Sequence, residues 1–396
     1  MANKITLNSD GSLSIPESPI IPIIVGDGIG PDIWQATRSI IDAAVAKSGR
    51  KPIEWLETLA GQKAKDETGD YLPAATLATL REYRVSLKGP LGTPVGGGIR
   101  SLNVAIRKEL DLYACIRPVK WTCGAPSPVK RPEDMNMIIF RENTEDVYAG
   151  LEWPCNSPEA DELIKFVDDK FGAKIRPGSS IGLKPMSEFG SKRLIRMALR
   201  WAIDHNAPSV TLVHKGNIMK FTEGYFRAWG YELAKEEFAG QTVSESEAAA
   251  DDSRIVIKDR IADNMFMQTL LRPQEYSVLA MPNLNGDYLS DALAAQIGGL
   301  GMAPGANIGD GLAVFEATHG TAPKYAGKDM VNPCSLIFSG AFMLEFMGWN
   351  DVSESIHRAV TKTLADGIAT YDLARQMDGI KPVATSAFGK AVMERL

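Results

Sequence analysis

An α/β fold of more than one domain is what this sequence predicts, and three observations predict it. The chain has 396 residues, too many for one ordinary core. Its first apolar run, Ile20 to Val25, ends in the turn Gly26-Asp27-Gly28-Ile29-Gly30-Pro31-Asp32 and passes into a helical pattern, the strand–turn–helix start of an α/β chain. Strand-like runs and helical patterns then alternate to the C-terminus, with polar residues at strand ends, where open sheets place their sites.

Residues 1–18 read as a polar leader. In the first helix Ile33, Ala36, Ile40, Ile41 and Ala44 recur at helical spacing. Residues 89–98, GPLGTPVGGG, read as loop. Leu110 to Ile116 predicts a strand, because Leu112, Ala114 and Ile116 alternate. Met135 to Phe140 predicts another, with Arg141 at its far end. Residues 146–187, with scattered Gly and Pro, read as irregular. A helix over 191–204 carries Leu194, Ile195, Met197, Ala198, Trp201 and Ala202 on one face. The strand Val210 to Val213 delivers His214 and Lys215, and 241–254 reads as surface loop. Val278 to Met281 predicts a strand leading into a helix at Tyr288 to Ile297. The last 80 residues hold two helical patterns and a loop around His319.

Composition narrows the class. The chain is 44% hydrophobic and 23% charged, as globular proteins are. A net charge of −6 argues against nucleic acid or a membrane surface as the main partner. An anionic small substrate would need a local basic pocket. Cys115, Cys123, Cys155 and Cys334 form no CxxC pair, which excludes a familiar zinc site and a disulfide framework. A reducing cytoplasm is the expected location. The opening MANKITLNSDGS has neither the apolar run of a signal peptide nor an Arg-rich transit face, and no apolar stretch reaches the ~20 residues of a membrane span.

Gly26, Gly28 and Gly30 are spaced GxGxG, not GxGxxG, and no strand-ending acid follows about 20 residues on, as a Rossmann fingerprint requires. A tight turn into a helix is the better reading. Ser101, Asn103 and Arg107 open a helical stretch, and Arg117 and Arg141 each cap a strand. A lone Arg is usually solvated, but three in an acidic chain fit a carboxylate site, because guanidinium grips carboxylate in a fork. Asp287 and Asp291, four apart at a helix start, either cap the helix or join Asp263 in a hard-cation site. Tyr148 and Lys215 are either surface groups or a proton-transfer pair. Lys215 follows an apolar strand, where burial would lower its pKa. The segment Glu316 to Gly327, EATHGTAPKYAG, reads as a plain loop or a phosphate-binding one, with Lys324 and Tyr325 adding a charge and a hydroxyl.

The strings GPLGTPVGGGIRSLN, RENTEDVYAG, VHKGNIMKFTEG, NLNGDYLSD and FEATHGTAPKYAG occur in this order. Together they resemble the isocitrate dehydrogenases of the bacterial NADP type, from about Ile21 to the C-terminus. The wider family also holds 3-isopropylmalate, homoisocitrate and tartrate dehydrogenases. The resemblance implies a two-domain isocitrate/isopropylmalate dehydrogenase-like α/β fold, not Rossmann, with a dimer clasp. Residues 1–112 and 298–396 would form a large domain and 113–145 and 188–297 a small one, with the clasp at 146–187. It implies a homodimer with shared active sites, Lys215 and Asp263 crossing the interface. Isocitrate would be bound by Ser101, Asn103, Arg107, Arg117 and Arg141. Tyr148 and Lys215 would be the acid–base pair, and Asp263, Asp287 and Asp291 the ligands of Mg²⁺ or Mn²⁺. Thr93, His319 and Asn332 would contact NADP, with Lys324, Tyr325, Tyr371 and Arg375 around its 2′-phosphate. Gly92 stands where a threonine is expected, and 241–254 departs from the family pattern. Ser101 and Asn103 argue against an isopropyl substrate, which would want an apolar patch.

Overall fold

The computed structural model describes residues 2–92 and 101–396. Among them eleven strands form one sheet. In spatial order these are Thr242–Ser244, Ile255–Ile261, Ser209–His214, Val278–Met281, Asn136–Glu142, Ala114–Lys120, Pro304–Gly309, Leu312–Ala317, Val85–Lys88, Ile20–Ile24 and Glu54–Glu57. The first five run parallel to one another, as do the last four. The antiparallel strands Ala114–Lys120 and Pro304–Gly309 join the two wings. The sheet therefore continues across the expected domain boundary, because a strand from 113–145 pairs with one from 298–396.

Helices cover both faces, as parallel sheets require. One apolar layer runs along a single face of both wings, from Ile21, Ile23, Ile40 and Phe388 to Leu194, Leu212 and Phe226. The other face splits. Val119, Ile139, Leu279, Leu289 and Leu293 pack at one wing, and Ile24, Leu80, Ile106 and Val314 at the other. The helix Gly30–Lys47 shows why the sequence folds this way locally. Pro31 and Asp32 open it, Lys47 closes it, and Ile33, Ala36, Ile40, Ile41 and Ala44 are all buried.

The glycine turn is a packing device. A Cβ on Gly26 would lie 2.3 Å from Pro90 O, and one on Gly28 2.1 Å from Thr321 O. Both residues have positive φ, so only glycine lets the two loops close on this turn. No phosphate could share that space, which agrees with rejecting a Rossmann reading.

Several boundaries differ from expectation. The strand expected at Leu110–Ile116 begins at Ala114 and runs to Lys120, because Leu110 to Tyr113 form the turn out of the helix Leu102–Glu109. The segment 146–187 is not irregular: it holds the helix Pro158–Phe171 and the ribbon Glu152–Trp153/Ile181–Gly182. Ser157 caps that helix through Ala160 N–H, Pro158 starts it and left-handed Gly172 ends it. Thr242–Ser244 is an edge strand inside the expected loop 241–254. The leader contains the ribbon Thr6–Leu7/Leu13–Ser14. Beyond the expected two, the C-terminal region holds four helices: Cys334–Phe346, Asn350–Ala365, Tyr371–Ala374 and Thr385–Met393. No helix among the described residues is long and apolar enough to cross a membrane.

Candidate active site

The arginines come together around the helix Asn283–Gln296. Arg141 is 1% exposed although fully charged by type. Its stem crosses the helix at Gly286, where a Cβ would lie 2.4 Å from Arg141 Cγ. Its Nε donates to Asn283 Oδ1 at 2.9 Å and its Nη1 to Asp287 Oδ1 at 2.5 Å. Tyr148 O–H donates to the other oxygen of Asp287 at 2.7 Å, and the Arg141 guanidinium lies 5.0 Å over the Tyr148 ring. Arg117 Nη1 donates to Ser290 Oγ at 2.8 Å and to Asp291 Oδ1 at 3.0 Å. The helix begins at Asn283, earlier than the expected Tyr288. Asp287 and Asp291 therefore lie inside it and do not cap it.

Charge follows geometry. Burial alone would raise the Asp287 carboxyl, but Arg141, Tyr148 and Arg117 outweigh it and hold it below its ordinary value. Burial, then the bond to Asp287, pushes the Tyr148 phenol up to about 12, so it keeps its proton at neutral pH. Burial pushes the Arg141 guanidinium down.

Arg107 belongs to a second cluster. Its Nη2 donates to Glu316 Oε1 at 2.7 Å, and Lys88 Nζ lies 2.9 Å from Glu316 Oε2. Asn307 also donates to Glu316. Burial opposes the Glu316 charge, yet Lys88 and Arg107 hold its carboxyl far below the usual range. Glu316 and Lys88 were not singled out from sequence. The signal was present, since Glu316 opens EATHGTAPKYAG and Lys88 ends the strand before GPLG.

Ser101 sits just ahead of the helix Leu102–Glu109 without capping it. Asn103 Oδ1, Arg107 Nε and Arg117 Nε are buried and have no hydrogen-bond partner among the described residues. The two orphaned arginine donors are what a bound polyanion would satisfy.

Lys215 and Asp263 form a separate pair at 2.5 Å. Within this chain no hydrogen bond or ion pair among the described residues links them to Tyr148 or Asp287. Nor do three or more His, Cys, Asp or Glu side chains among the described residues gather there as a metal site; Asp287 and Asp291 share one helix, and Asp263 lies on another. Apolar side chains are exposed on the segments that carry that pair and on the helix Asn283–Gln296. Ile218, Phe221, Leu270, Leu271 and Tyr288 are all more than half exposed.

The cofactor candidates converge from two segments. The Tyr325 and Tyr371 rings stack at 5.3 Å, and Asn332 Nδ2 donates to Asp372 Oδ2 at 3.0 Å. Asn332 Oδ1 accepts from Cys334 N–H, so its side chain is committed to the protein. Lys324 and Arg375 are exposed, and neither joins an ion pair among the described residues. His319 Nδ1 bonds Gly320 O at 2.9 Å, while its Nε2 is buried without a partner among the described residues. Burial lowers the His319 pKa. Thr93 lies outside the described residues.

Residues 20–392 match the family model for isocitrate/isopropylmalate dehydrogenase. The chain is 57% identical over 393 residues to an NADP isocitrate dehydrogenase of Archaeoglobus fulgidus, covering 98% of this chain and 95% of that one. It is 53% identical to one from Pseudomonas aeruginosa, covering 100% and 97%. A crystal structure of isocitrate dehydrogenase from Methylococcus capsulatus superposes with a TM-score of 0.79 at 40% identity, covering 95% and 98%.

Proposed function

The chain belongs to the isocitrate/isopropylmalate dehydrogenase family, and on that premise we propose how its residues work. The reaction is the NADP-linked oxidative decarboxylation of isocitrate to 2-oxoglutarate and carbon dioxide. The observation that carries the site reading is the set of three buried arginines, two of them with an orphaned Nε, of which Arg117 holds Asp291 and Arg141 holds Asp287 next to Tyr148.

In this reading the substrate's carboxylates replace the protein's own. Arg117 and Arg141 now neutralise Asp291 and Asp287; on binding they turn to isocitrate, joined by Arg107, Ser101 and Asn103. The two aspartates are thereby released as oxygen donors from one helix face, and with Asp263 across a dimer interface they suit a Mg²⁺ or Mn²⁺ ion. Such a cation supplies Lewis-acid polarisation of the substrate oxygen. Lys215 would take the proton of the substrate hydroxyl, and bound NADP would supply the hydride acceptor. Tyr148, protonated at neutral pH, delivers a proton to the carbon from which carbon dioxide departs.

NADP fits the second segment pair. Lys324 and Arg375 are unpaired cations beside two tyrosine hydroxyls, the chemistry a 2′-phosphate needs. The orphaned His319 Nε2 offers a further contact. The apolar side chains exposed on the segments that carry Lys215 and Asp263 suit a second copy of the chain, which would bring that pair to the other copy's Tyr148. Residues 1–112 with 298–396, and 113–145 with 188–297, are then the two domains around the cleft, and 146–187 the clasp. Four free cysteines are in keeping with a cytoplasmic enzyme. Initial rates with isocitrate and 3-isopropylmalate, each with NADP and NAD, test the reading. Isocitrate with NADP is expected to dominate, and preference for 3-isopropylmalate or NAD would overturn it.

A further inference from the structure

Lys184 has no place among the substrate, cofactor or proton-transfer residues, yet it stands between two of them. Its ammonium pairs with Asp146 and lies 3.1 Å from Glu223 Oε1. Glu223 Oε1 has no aligned hydrogen bond, so this contact is an ion pair and its sole compensation among the described residues. Both carboxylates are 1% exposed.

Each acid clamps a functional segment. Asp146 precedes Tyr148 by two residues and holds a left-handed backbone with φ 67°. Its N–H donates to Pro185 O at 2.9 Å, and its Oδ2 accepts Leu284 N–H at 3.0 Å. Glu223 Oε2 accepts the Lys215 N–H at 2.5 Å and the Asn285 side-chain amide at 2.7 Å. The Lys215 carbonyl accepts from Ile218 and Met219, and the Gly216 N–H donates to His214 Nδ1 at 3.0 Å. Both backbone polar atoms of Lys215 and the N–H of Gly216 are thus held. Lys184 joins the Tyr148 loop, the Lys215 loop and the first turn of the helix that bears Asp287 and Asp291.

One cation between two buried carboxylates is a strong constraint. Removing it leaves two uncompensated charges that repel, and the segments they anchor lose their common reference. We propose that Lys184 is a positioning residue that fixes the Tyr148 loop relative to the Lys215 loop. The proposal rests on the reading of Tyr148 and Lys215 as the proton-transfer pair. It reaches both active sites of the dimer, because this chain's Tyr148 would serve one site and its Lys215 the other.

The test compares Lys184→Met and Lys184→Arg with the parent enzyme, using Lys192→Met as a control. Lys192 is a similarly enclosed lysine paired with Glu188, Glu232 and Glu236, none of which touches this network. A displacement of about 1 Å costs ~10²-fold in rate. Lys184→Met should therefore lose roughly that much kcat, in isocitrate oxidation and in reduction of added oxalosuccinate alike. KM for NADP should stay within about twofold, since misplacement acts on the chemical step. Lys184→Arg, keeping the cation, should recover most of the loss, and Lys192→Met should retain kcat even where its Tm falls. A near-parental kcat in folded Lys184→Met, a loss shared by Lys192→Met at an equal drop in Tm, or no recovery in Lys184→Arg would overturn the proposal. Should Lys184→Met not fold, the Lys184→Gln variant takes its place with the same expected losses. A parent enzyme that fails to turn over isocitrate would sink the underlying reading instead.

Discussion

Tyr148 and Asp287 are 139 residues apart in sequence and 2.7 Å apart at their oxygens. The bond makes one carboxylate serve two neighbours, since its other oxygen holds Arg141. Burial and this acceptor together raise the phenol's pKa to about 12, so it stays protonated well above neutral pH. A proton donor and an acid suited to a cation are thereby stored in one contact.

Tyr148→Phe should lower overall turnover by ~10²–10⁴, the usual worth of a positioned proton-transfer group. It should retain reduction of added oxalosuccinate better than overall turnover, since only the final protonation needs the phenol. Lys215→Met should abolish turnover while isocitrate still binds, because Lys215 bonds Asp263 and none of the arginines. Stopped-flow rates and isocitrate titration check both. Equal losses in the two assays for Tyr148→Phe, or near-normal kcat for Lys215→Met, would remove the assigned roles.

Asp287→Asn should raise the Mg²⁺ or Mn²⁺ requirement sharply, since a site with few ligands loses a charge. Melting with and without the metal gives a second readout: the parent should gain Tm from the ion and the variant should gain less. Asp287 lies inside its helix, so lost capping would not explain the effect. An unchanged metal dependence in both measurements would return Asp287 to the role of Arg141's counter-ion.

Lys324→Asp with Tyr325→Ile should collapse kcat/KM for NADP and leave NAD turnover level or slightly higher. A hydrogen bond to a charged group contributes about 1.5–3 kcal/mol, so several around one phosphate favour NADP by ~10³ or more at about 1.4 kcal/mol per tenfold. Removing Tyr325 also removes the ring that stacks on Tyr371. If the double variant keeps its NADP preference, the phosphate binds elsewhere.

Glu316→Gln should flatten the acid limb of stability. Lys88 and Arg107 depress the folded-state pKa of Glu316 below its ordinary value, about 4.3 for a free glutamate. The stability it contributes is therefore full above about that pH and lost as the pH falls through the range below it. The variant should melt lower at neutral pH, because two buried cations lose their partner. As the pH falls below about 4 it should lose less Tm than the parent does. Parallel Tm–pH curves would show that other carboxylates carry the acid response.

Much of this was legible locally. Apolar spacing gave the helix Gly30–Lys47 and the strands Ser209–His214 and Val278–Met281, because burial of one face imposes a period on the residues themselves. The helix Pro158–Phe171 was missed for a physical reason. Pro158 and Gly172, among the scattered Pro and Gly read as signs of irregular chain, are with Ser157 its start and stop signals. The turn at Leu110–Tyr113 was missed because an alternating apolar pattern survives when a helix exit is buried. Asp111, at φ 45°, marks the exit.

The sequence by itself determined the inventory: arginines at strands, two aspartates four apart, a tyrosine and a lysine in distinctive strings, and glycines where the backbone must pass closely. Only the tertiary structure decided who meets whom. Arg117 reaches Asp291 across 174 residues, Arg141 crosses its helix because Gly286 leaves room, and Lys215 turns to Asp263 instead of Tyr148. Periodicity records burial, which each residue experiences alone. Pairing depends on the path of the whole chain, and a contact between distant residues leaves no mark on the neighbours of either.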